Sequence, residues 1–312
     1  MKSFRYIFLF GIVLLCFSCN RFKGSQEIPA YLRIEPWTFT TNYEIEGAAT
    51  EAIVAVRLHI DGDLLGVYEF KNHDDGFYAQ APILKEGTHK IFLYPIIKMN
   101  GISSTQTDYP FYKPYIIENQ ILTQGEVATV SPSTTYYSID STNMRIKMIE
   151  DFEEINNIRI YRIDSTYAEL HQVSHRTDQN AWMDPLDTIN RYRSGHVHLG
   201  DSITKMGLAS GELTGLPDMN EQDYVMMEMD YKCDAEILIG MYILDPQDGL
   251  LDKELYYLRS ASDWKKVYIN FTPTVSQNSD AIYFKFYLKS AVEAGGEADF
   301  YFDNIKLIYL DN

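Results

Sequence analysis

The chain has 312 residues, enough for two domains that each bury a core of their own. Its formal net charge of −17 disfavours a nucleic-acid partner, because phosphate binding requires a basic surface. Aromatic residues make up 14% of the chain and include 24 tyrosines, a composition typical of strand-rich folds.

The chain begins with the pattern of a secretory signal peptide over residues 1–18. Lys2 and Arg5 precede an apolar run at 6–17, and Ser18 ends that run. The run is shorter than the roughly 20 residues that a membrane-spanning helix needs. Export with removal of this segment is therefore the prediction.

The order Leu15-Cys16-Phe17-Ser18-Cys19 resembles a bacterial lipoprotein signal, with Ser18 directly before the cysteine. Cys16 and Phe17 depart from the usual small residues, so secretion without a lipid stays the alternative. The resemblance implies acylation of Cys19, a tether over 19–27 and attachment to the cell envelope, in the outer membrane, by the lipid. The side of that membrane, surface or periplasmic, stays open. In style the sequence resembles lipoproteins of Bacteroidetes-type bacteria.

Residues 28–140 have the pattern of a β-sandwich. Apolar residues alternate over 54–60, a turn follows at Asp61-Gly62-Asp63, and a second strand over 65–70 completes a hairpin. Another alternating strand is predicted to end at Pro95. Turns recur every 8–12 residues, and the stretch at 84–91 resembles small Ig-like domains. The aromatic stretch Tyr109–Tyr115 either packs over an end of the sandwich or forms an exposed ligand face.

A polar boundary at 138–143 separates this domain from a second one over residues 145–312. Period-two alternation predicts its main strands at 195–199, 225–229, 236–244, 265–271, 282–288 and 300–309. The apolar phase of the last strand slips by one residue at Asp303-Asn304, which predicts a β-bulge. The fold class is therefore all-β, with an Ig-like sandwich followed by a second sandwich.

The second domain resembles the jelly rolls of carbohydrate-binding modules and galactose-binding-like domains. The segments that carry the resemblance are Asp151-Phe152-Glu153, Ser194-Gly195-His196-Val197-His198-Leu199, Trp264-Lys265-Lys266-Val267-Tyr268 and Phe302-Asp303-Asn304-Ile305-Lys306-Leu307. The resemblance implies a possible structural calcium ion shared by Glu153 and Asp303, with backbone carbonyls as further ligands. The alternative is that Asp303 caps the bulge and Glu153 is solvated. A sugar ligand does not follow from this fold, which hosts many functions.

Trp182 is the main candidate for ligand binding, together with Tyr192 and Arg193. It lies in a polar loop, and a sugar stacks on an aromatic ring while charged groups bind its hydroxyls. The alternative is that Trp182 plugs one end of the sandwich.

Catalytic patterns are absent from the sequence, which lacks Gly-x-Ser-x-Gly, His-Glu-x-x-His and phosphate-binding glycine loops. His196 and His198 face one side of a strand but lack the further ligands of a zinc site. Cys233 is predicted to be a small buried residue. We therefore expect a non-enzymatic envelope lipoprotein with a glycan or protein ligand. The alternative is a structural or assembly subunit of an envelope complex without a glycan, and a hydrolase ranks third.

Overall fold

The computed structural model describes residues 28–140, 142–155, 157–183, 191–200, 202–217 and 223–310. The predicted signal peptide, Cys19 and the tether at 19–27 lie outside these residues and stay predictions. Among the described residues, no helix combines the length and the apolar character that crossing a bilayer requires.

The N-terminal half contains eleven described strands and one short helix. The strands are β1 (Ala30–Ile34), β2 (Thr38–Phe39), β3 (Ile53–Ile60), β4 (Asp63–Glu69), β5 (Lys71–His73), β6 (Gly76–Ile83), β7 (Gly87–Lys98), β8 (Gln106–Asp108), β9 (Tyr115–Leu122), β10 (Val127–Val130) and β11 (Ser133–Thr134). Helix α1 (Tyr43–Glu46) lies between β2 and β3.

The C-terminal half likewise has eleven described strands and one helix. The strands are β12 (Met144–Glu150), β13 (Ile160–Arg162), β14 (His171–Ser174), β15 (Arg193–Leu199), β16 (Lys205–Ser210), β17 (Tyr224–Cys233), β18 (Ile237–Asp245), β19 (Gly249–Leu258), β20 (Ala261–Asn270), β21 (Tyr283–Ala291) and β22 (Ala298–Leu310). Helix α2 (Thr272–Ser276) follows β20.

Nine of the first eleven strands form an Ig-like sandwich, and β2 and β11 pair with each other in a separate two-stranded sheet. One sheet has the order β10-β1-β6-β5, and the other has the order β4-β3-β7-β8 with β9 also paired to β7. Apolar residues of the two inner faces fill the core, among them Leu32, Val56, Leu58 and Leu93, all fully buried. The predicted hairpin is confirmed, because β3 and β4 pair antiparallel on either side of the turn at 61–62.

The prediction that a strand ends at Pro95 is wrong, since β7 continues to Lys98. On one side of β7, Pro95 lies opposite Val56 of β3. On the other side, β9 pairs up to Leu93 and β8 pairs from Ile96 onward, so Pro95 falls between them. A proline is tolerated inside a strand where the ladder needs no N–H donor.

The later strands form the jelly-roll sandwich. Its larger sheet has the order β14-β15-β22-β17-β20, with β12 also paired to β22, and its smaller sheet has the order β13-β16-β21-β18-β19. Cys233 lies in the core between them, and burial raises the pKa of its thiol to about 11. The all-β prediction with two successive sandwiches is confirmed, and residues 138–143, the predicted boundary, lie between β11 and β12.

The predicted bulge in β22 is confirmed. Strand β17 pairs with β22 through Glu228 and Lys306 and then through Asp230 and Asp303, so β22 carries one extra residue. Asn304 takes up the irregularity with a φ of 49°. The bulge turns the apolar residues on both sides of it into the same core.

The two sandwiches meet in a third apolar cluster, here called the interdomain cluster. It consists of Phe39, Ile97, Tyr109, Phe111, Tyr112, Tyr136, Met144, Met226, Tyr268 and Ile308. The aromatic stretch at 109–115 is therefore packed, as the first of its two interpretations expects. It packs against the outer face of the larger C-terminal sheet rather than over an end of its own sandwich.

A buried polar network runs through this contact. Glu228 is fully buried and accepts hydrogen bonds from Tyr109 Oη at 2.7 Å and from Tyr136 Oη at 2.8 Å. Lys266 Nζ lies 2.8 Å from the other carboxylate oxygen of Glu228. Burial alone would raise the pKa of Glu228, but the charges of Lys266 and Lys306 outweigh it and lower that pKa. The network fixes the sheet face next to the cleft described below.

Candidate functional site

The candidate site is a cleft of about 500 Å³ between the two sandwiches. One wall comes from the N-terminal half and consists of Phe39, Thr40, Thr41, Tyr43, Ala49, Thr50 and Glu51. The floor and the opposite wall come from the C-terminal half and consist of Trp182, Arg191, Asp230, Trp264, Lys265 and Lys266. Its volume lies within the range of about 300–1,000 Å³ that is usual for small-molecule pockets.

Two tryptophans flank the cleft, and both are half-buried. Trp264 projects from the outer face of β20, and its indole N–H donates to the Asn180 carbonyl at 2.9 Å. The backbone N–H of Trp182 donates to Ser194 Oγ at 2.7 Å. These bonds hold the segments that carry both rings, so each indole keeps part of its surface available for a flat partner.

A cation and a phenol join the two walls. The Arg191 guanidinium lies 3.7 Å above the centre of the Tyr43 ring, and the Tyr43 hydroxyl donates to the Asp151 carboxylate. Burial, and then the hydrogen bond to Asp151, raise the pKa of Tyr43. The contact places polar donors along one side of the cleft.

Two carboxylates in the cleft are held by protein donors. Burial raises the pKa of both Glu51 and Asp230. Glu51 accepts from the backbone N–H of Ile53, and Asp230 accepts from Asn304 Nδ2 at 2.9 Å. With Lys265 at the opening, the cleft carries groups of both signs, which suits a ligand rich in hydroxyls.

The structure separates the three residues predicted to bind a ligand. Among the described residues that line the cleft, Trp182 is the only one of the three. Arg193 instead contacts Glu153, with its backbone N–H 2.8 Å from Oε1 and its guanidinium 3.4 Å from Oε2. The Tyr192 ring lies beside Arg176, whose guanidinium is 4.2 Å from the ring centre.

Sequence reasoning missed Trp264 and Arg191 as residues of this cleft. Trp264 shares its strand phase with Lys266 and Tyr268, so the alternation in β20 already placed all three on the face opposite Val267. An aromatic residue on an outward strand face is the signal that could have found it. No comparable pattern marks Arg191.

The two residues predicted to share calcium are engaged by protein donors. Asp303 is 1% exposed, and it accepts from the Asn304 N–H at 2.6 Å and from Ser194 Oγ at 3.2 Å. Glu153 is paired with Arg193. A calcium ion would have to replace these donors, because the ion requires six to eight oxygen ligands of its own. Asp303 caps the bulge, as the alternative interpretation expects, but Glu153 is not solvated as that interpretation expects, since it is bonded to Arg193. Calcium stays a prediction.

His196 and His198 lie on one face, as predicted, and converge on a single carboxylate oxygen. His196 Nε2 is 2.8 Å and His198 Nδ1 is 2.9 Å from Asp299 Oδ1. Within the described ranges, no group of three or more His, Cys, Asp or Glu residues is arranged to hold a metal ion.

The chain matches no family model and no curated protein. It is similar to several solved structures. They include the CBM22-1 xylan-binding domain of Paenibacillus barcinonensis Xyn10C (12% identity, 55% of this chain and 99% of that one, TM-score 0.39). They also include a cyclase from Fischerella sp. (13% identity, 54% and 97%, TM-score 0.35). A third is a carbohydrate-binding module of the β-sandwich superfamily described as promiscuous in specificity (12% identity, 81% and 85%, TM-score 0.35). All three TM-scores lie below 0.5, so the similarity decides neither the ligand nor the activity of this chain.

Proposed function

We propose that this protein is a non-enzymatic lipoprotein of the cell envelope that binds a glycan in the cleft between its sandwiches. The observation that carries the proposal is the pair of half-buried rings, Trp182 and Trp264, beside a floor of hydroxyl, ammonium and carboxylate groups. Sugars combine apolar ring faces with a rim of hydroxyls, so they match this combination of surfaces.

Binding is tested on an array of defined oligosaccharides and soluble polysaccharides, followed by titration of the positive glycans. Trp264→Ala and Trp182→Ala are each expected to weaken binding about tenfold or more, since burial of a stacked ring is of the order of 1.4 kcal/mol. Tyr161→Ala is the matched control, because Tyr161 is an exposed aromatic residue on β13, in the other sheet. Unchanged affinity in both tryptophan variants would remove the cleft from the proposal.

Intrinsic fluorescence provides a second readout. The chain has three tryptophans, and the third, Trp37, lies in the buried core of the N-terminal sandwich. A glycan in the cleft should therefore change the emission of two of the three, and Trp264→Phe should remove part of that change. The same mixtures are assayed for new reducing ends, and their release would contradict the non-enzymatic part of the proposal.

The envelope location rests on the sequence at Ser18-Cys19. Acylation of Cys19 is expected to hold the protein on a membrane, since each buried methylene contributes about 0.8 kcal/mol. The mass of the mature N-terminus and the membrane fraction of a Cys19→Ser variant test this. Protease treatment of intact cells then distinguishes the surface from the periplasmic face.

A structural or assembly role is the second candidate, and one observation favours it. β4 is an edge strand, and its side chains Leu64, Leu65 and Val67 are 61%, 39% and 49% exposed. Such an edge can pair with a strand of another protein. The test is cross-linking in intact envelopes. This role is favoured if a partner is captured at β4, if the capture is lost in Val67→Lys, and if it occurs without glycan binding.

A further inference from the structure

The floor of the cleft passes from open to covered along each strand. On β20 the outward side chains run from Trp264, half-buried, through Lys266 to Tyr268, which is 1% exposed. On β17 the outward side chains run from Lys232, half-buried, through Asp230, 4% exposed, to the fully buried Glu228. The sheet face is thus available at one end and sealed at the other.

The seal is the loop Ala48–Ala52, here called the closing loop, which connects α1 to β3. Alternate residues of this loop bond to the sheet. Lys306 Nζ donates to the Ala48 carbonyl at 2.8 Å, Lys266 Nζ donates to Thr50 Oγ1 at 2.9 Å, and the Ala52 N–H donates to the Tyr268 hydroxyl at 3.0 Å.

The space behind the closing loop is filled. Tyr268 packs there against Tyr109, with ring centres 4.7 Å apart, and its hydroxyl lies 3.1 Å from that of Tyr112. Because the interdomain cluster continues from these rings, a polymer cannot pass under the loop and along the sheet. A ligand that enters past Trp264 and follows β20 therefore stops at the closing loop.

We propose that the cleft recognises the end of a glycan chain, or a short free oligosaccharide, and not the interior of a long polysaccharide. This inference rests on the proposed glycan-binding function and adds the way in which the chain is presented. A cleft of about 500 Å³ with one closed end can surround the last few sugar units and leaves the rest of the chain in solvent.

The test uses ladders of β-glucan, xylan, mannan and arabinan oligosaccharides of increasing length, together with their parent polysaccharides, in calorimetric titrations. We expect one protein per chain and an affinity that stops rising once the cleft is filled. Two blocked forms of each oligosaccharide are compared: one with its reducing end chemically reduced, the other with a substituent on its non-reducing end. We expect one of these two forms to bind at least tenfold more weakly than the unblocked oligosaccharide. Several proteins bound along one polymer, or equal binding of both end-blocked forms, would overturn the inference and leave the proposed function intact. No binding by any glycan overturns both.

A variant at the closed end provides an independent check. Ala49 is an exposed residue of the closing loop that lines the cleft. Ala49→Arg fills the closed end and is expected to weaken binding of the shortest oligosaccharides at least tenfold at an unchanged melting temperature. Ala294→Arg, at an exposed alanine of the turn before β22, is the matched control. If both variants bind like the unaltered protein, the ligand does not reach the closing loop and the inference fails.

Discussion

Lys306 is a buried lysine between the two sandwiches, where burial disfavours its charged form. It is fully buried, and its ammonium donates to the Ala48 carbonyl and lies 3.4 Å from the Tyr136 hydroxyl. Burial lowers its pKa to about 8, the Glu228 carboxylate opposes that shift, and the second ammonium at Lys266 adds to it. The ammonium of Lys266 pairs directly with Glu228, and the charge of Lys306 acts on the same buried carboxylate from a longer distance.

This conflict predicts a dependence of stability on pH. In the unfolded chain Lys306 holds its proton up to about pH 10.5, whereas the folded protein releases it near pH 8. Between these values the unfolded state binds more protons, so the free energy of unfolding rises with pH. We expect the protein to gain about 1–2 kcal/mol relative to a Lys306→Met variant between pH 7.5 and 9.5, measured by urea unfolding at each pH.

Lys253→Met is the control for this measurement, because it removes an exposed ammonium on β19. The range stops below pH 10 because burial raises the pKa of Tyr109, Tyr112 and Tyr136, and the ionisation of tyrosines in the unfolded chain would then act in the opposite direction. A difference between the protein and Lys306→Met that stays flat over this range would show that Lys306 keeps an ordinary pKa.

At the residue scale, the sequence located one side of the candidate site and missed the other. Trp182 was found because a tryptophan in a polar loop is unusual, and it lines the cleft. Arg193 follows it in the same segment but faces Glu153, and the adjacent Tyr192 lies beside Arg176. Which of several neighbouring side chains reaches a cleft depends on backbone direction in a loop, and composition carries no information on that direction.

The bulge in β22 brings Asp230, Asp303 and Asn304 together. Asn304 is 1% exposed with a φ of 49°, and its side-chain amide donates to Asp230. The slip in apolar phase predicted this bulge, because a strand that stays buried on one face must compensate for an extra residue. The continuation of β7 past Pro95 could not be predicted from the sequence. It depends on the fact that Pro95 lies between the residues of β7 that pair with β9 and those that pair with β8, so no hydrogen bond from its nitrogen is needed.

Two substitutions separate the backbone and side-chain roles of Asn304. Asn304→Gly keeps the left-handed conformation and loses only the hydrogen bond to buried Asp230, which we expect to cost about 1–3 kcal/mol. Asn304→Ala loses the same bond and adds about 1 kcal/mol, because a Cβ disfavours positive φ. The measurement is the free energy of unfolding in urea at pH 7, and equal values for the two variants would show that the φ of 49° imposes no cost.

The interdomain cluster joins the two sandwiches through apolar packing and through buried hydrogen bonds. The alternation along β17 and β20 predicted that Met226 and Tyr268 point away from the C-terminal core, but it could not predict what covers them. Their partners come from far away in the sequence, since Tyr268 packs against the ring of Tyr109. Pairings of this kind depend on how two completed sandwiches fit together, and no local pattern encodes that fit.

Because the contact buries apolar surface from both sandwiches, we predict that the protein unfolds in a single calorimetric transition, with equal calorimetric and van't Hoff enthalpies. Met226→Lys introduces a charge at a fully buried position of the interdomain cluster, where desolvation costs several kcal/mol. It should split unfolding into two transitions, whereas Tyr257→Lys, on the exposed face of β19, should leave one. Two transitions in the unaltered protein would mean that each sandwich is stable without the other. The closed end of the cleft would then be lost with the first of these transitions, since the closing loop belongs to one sandwich and its three bonding partners to the other.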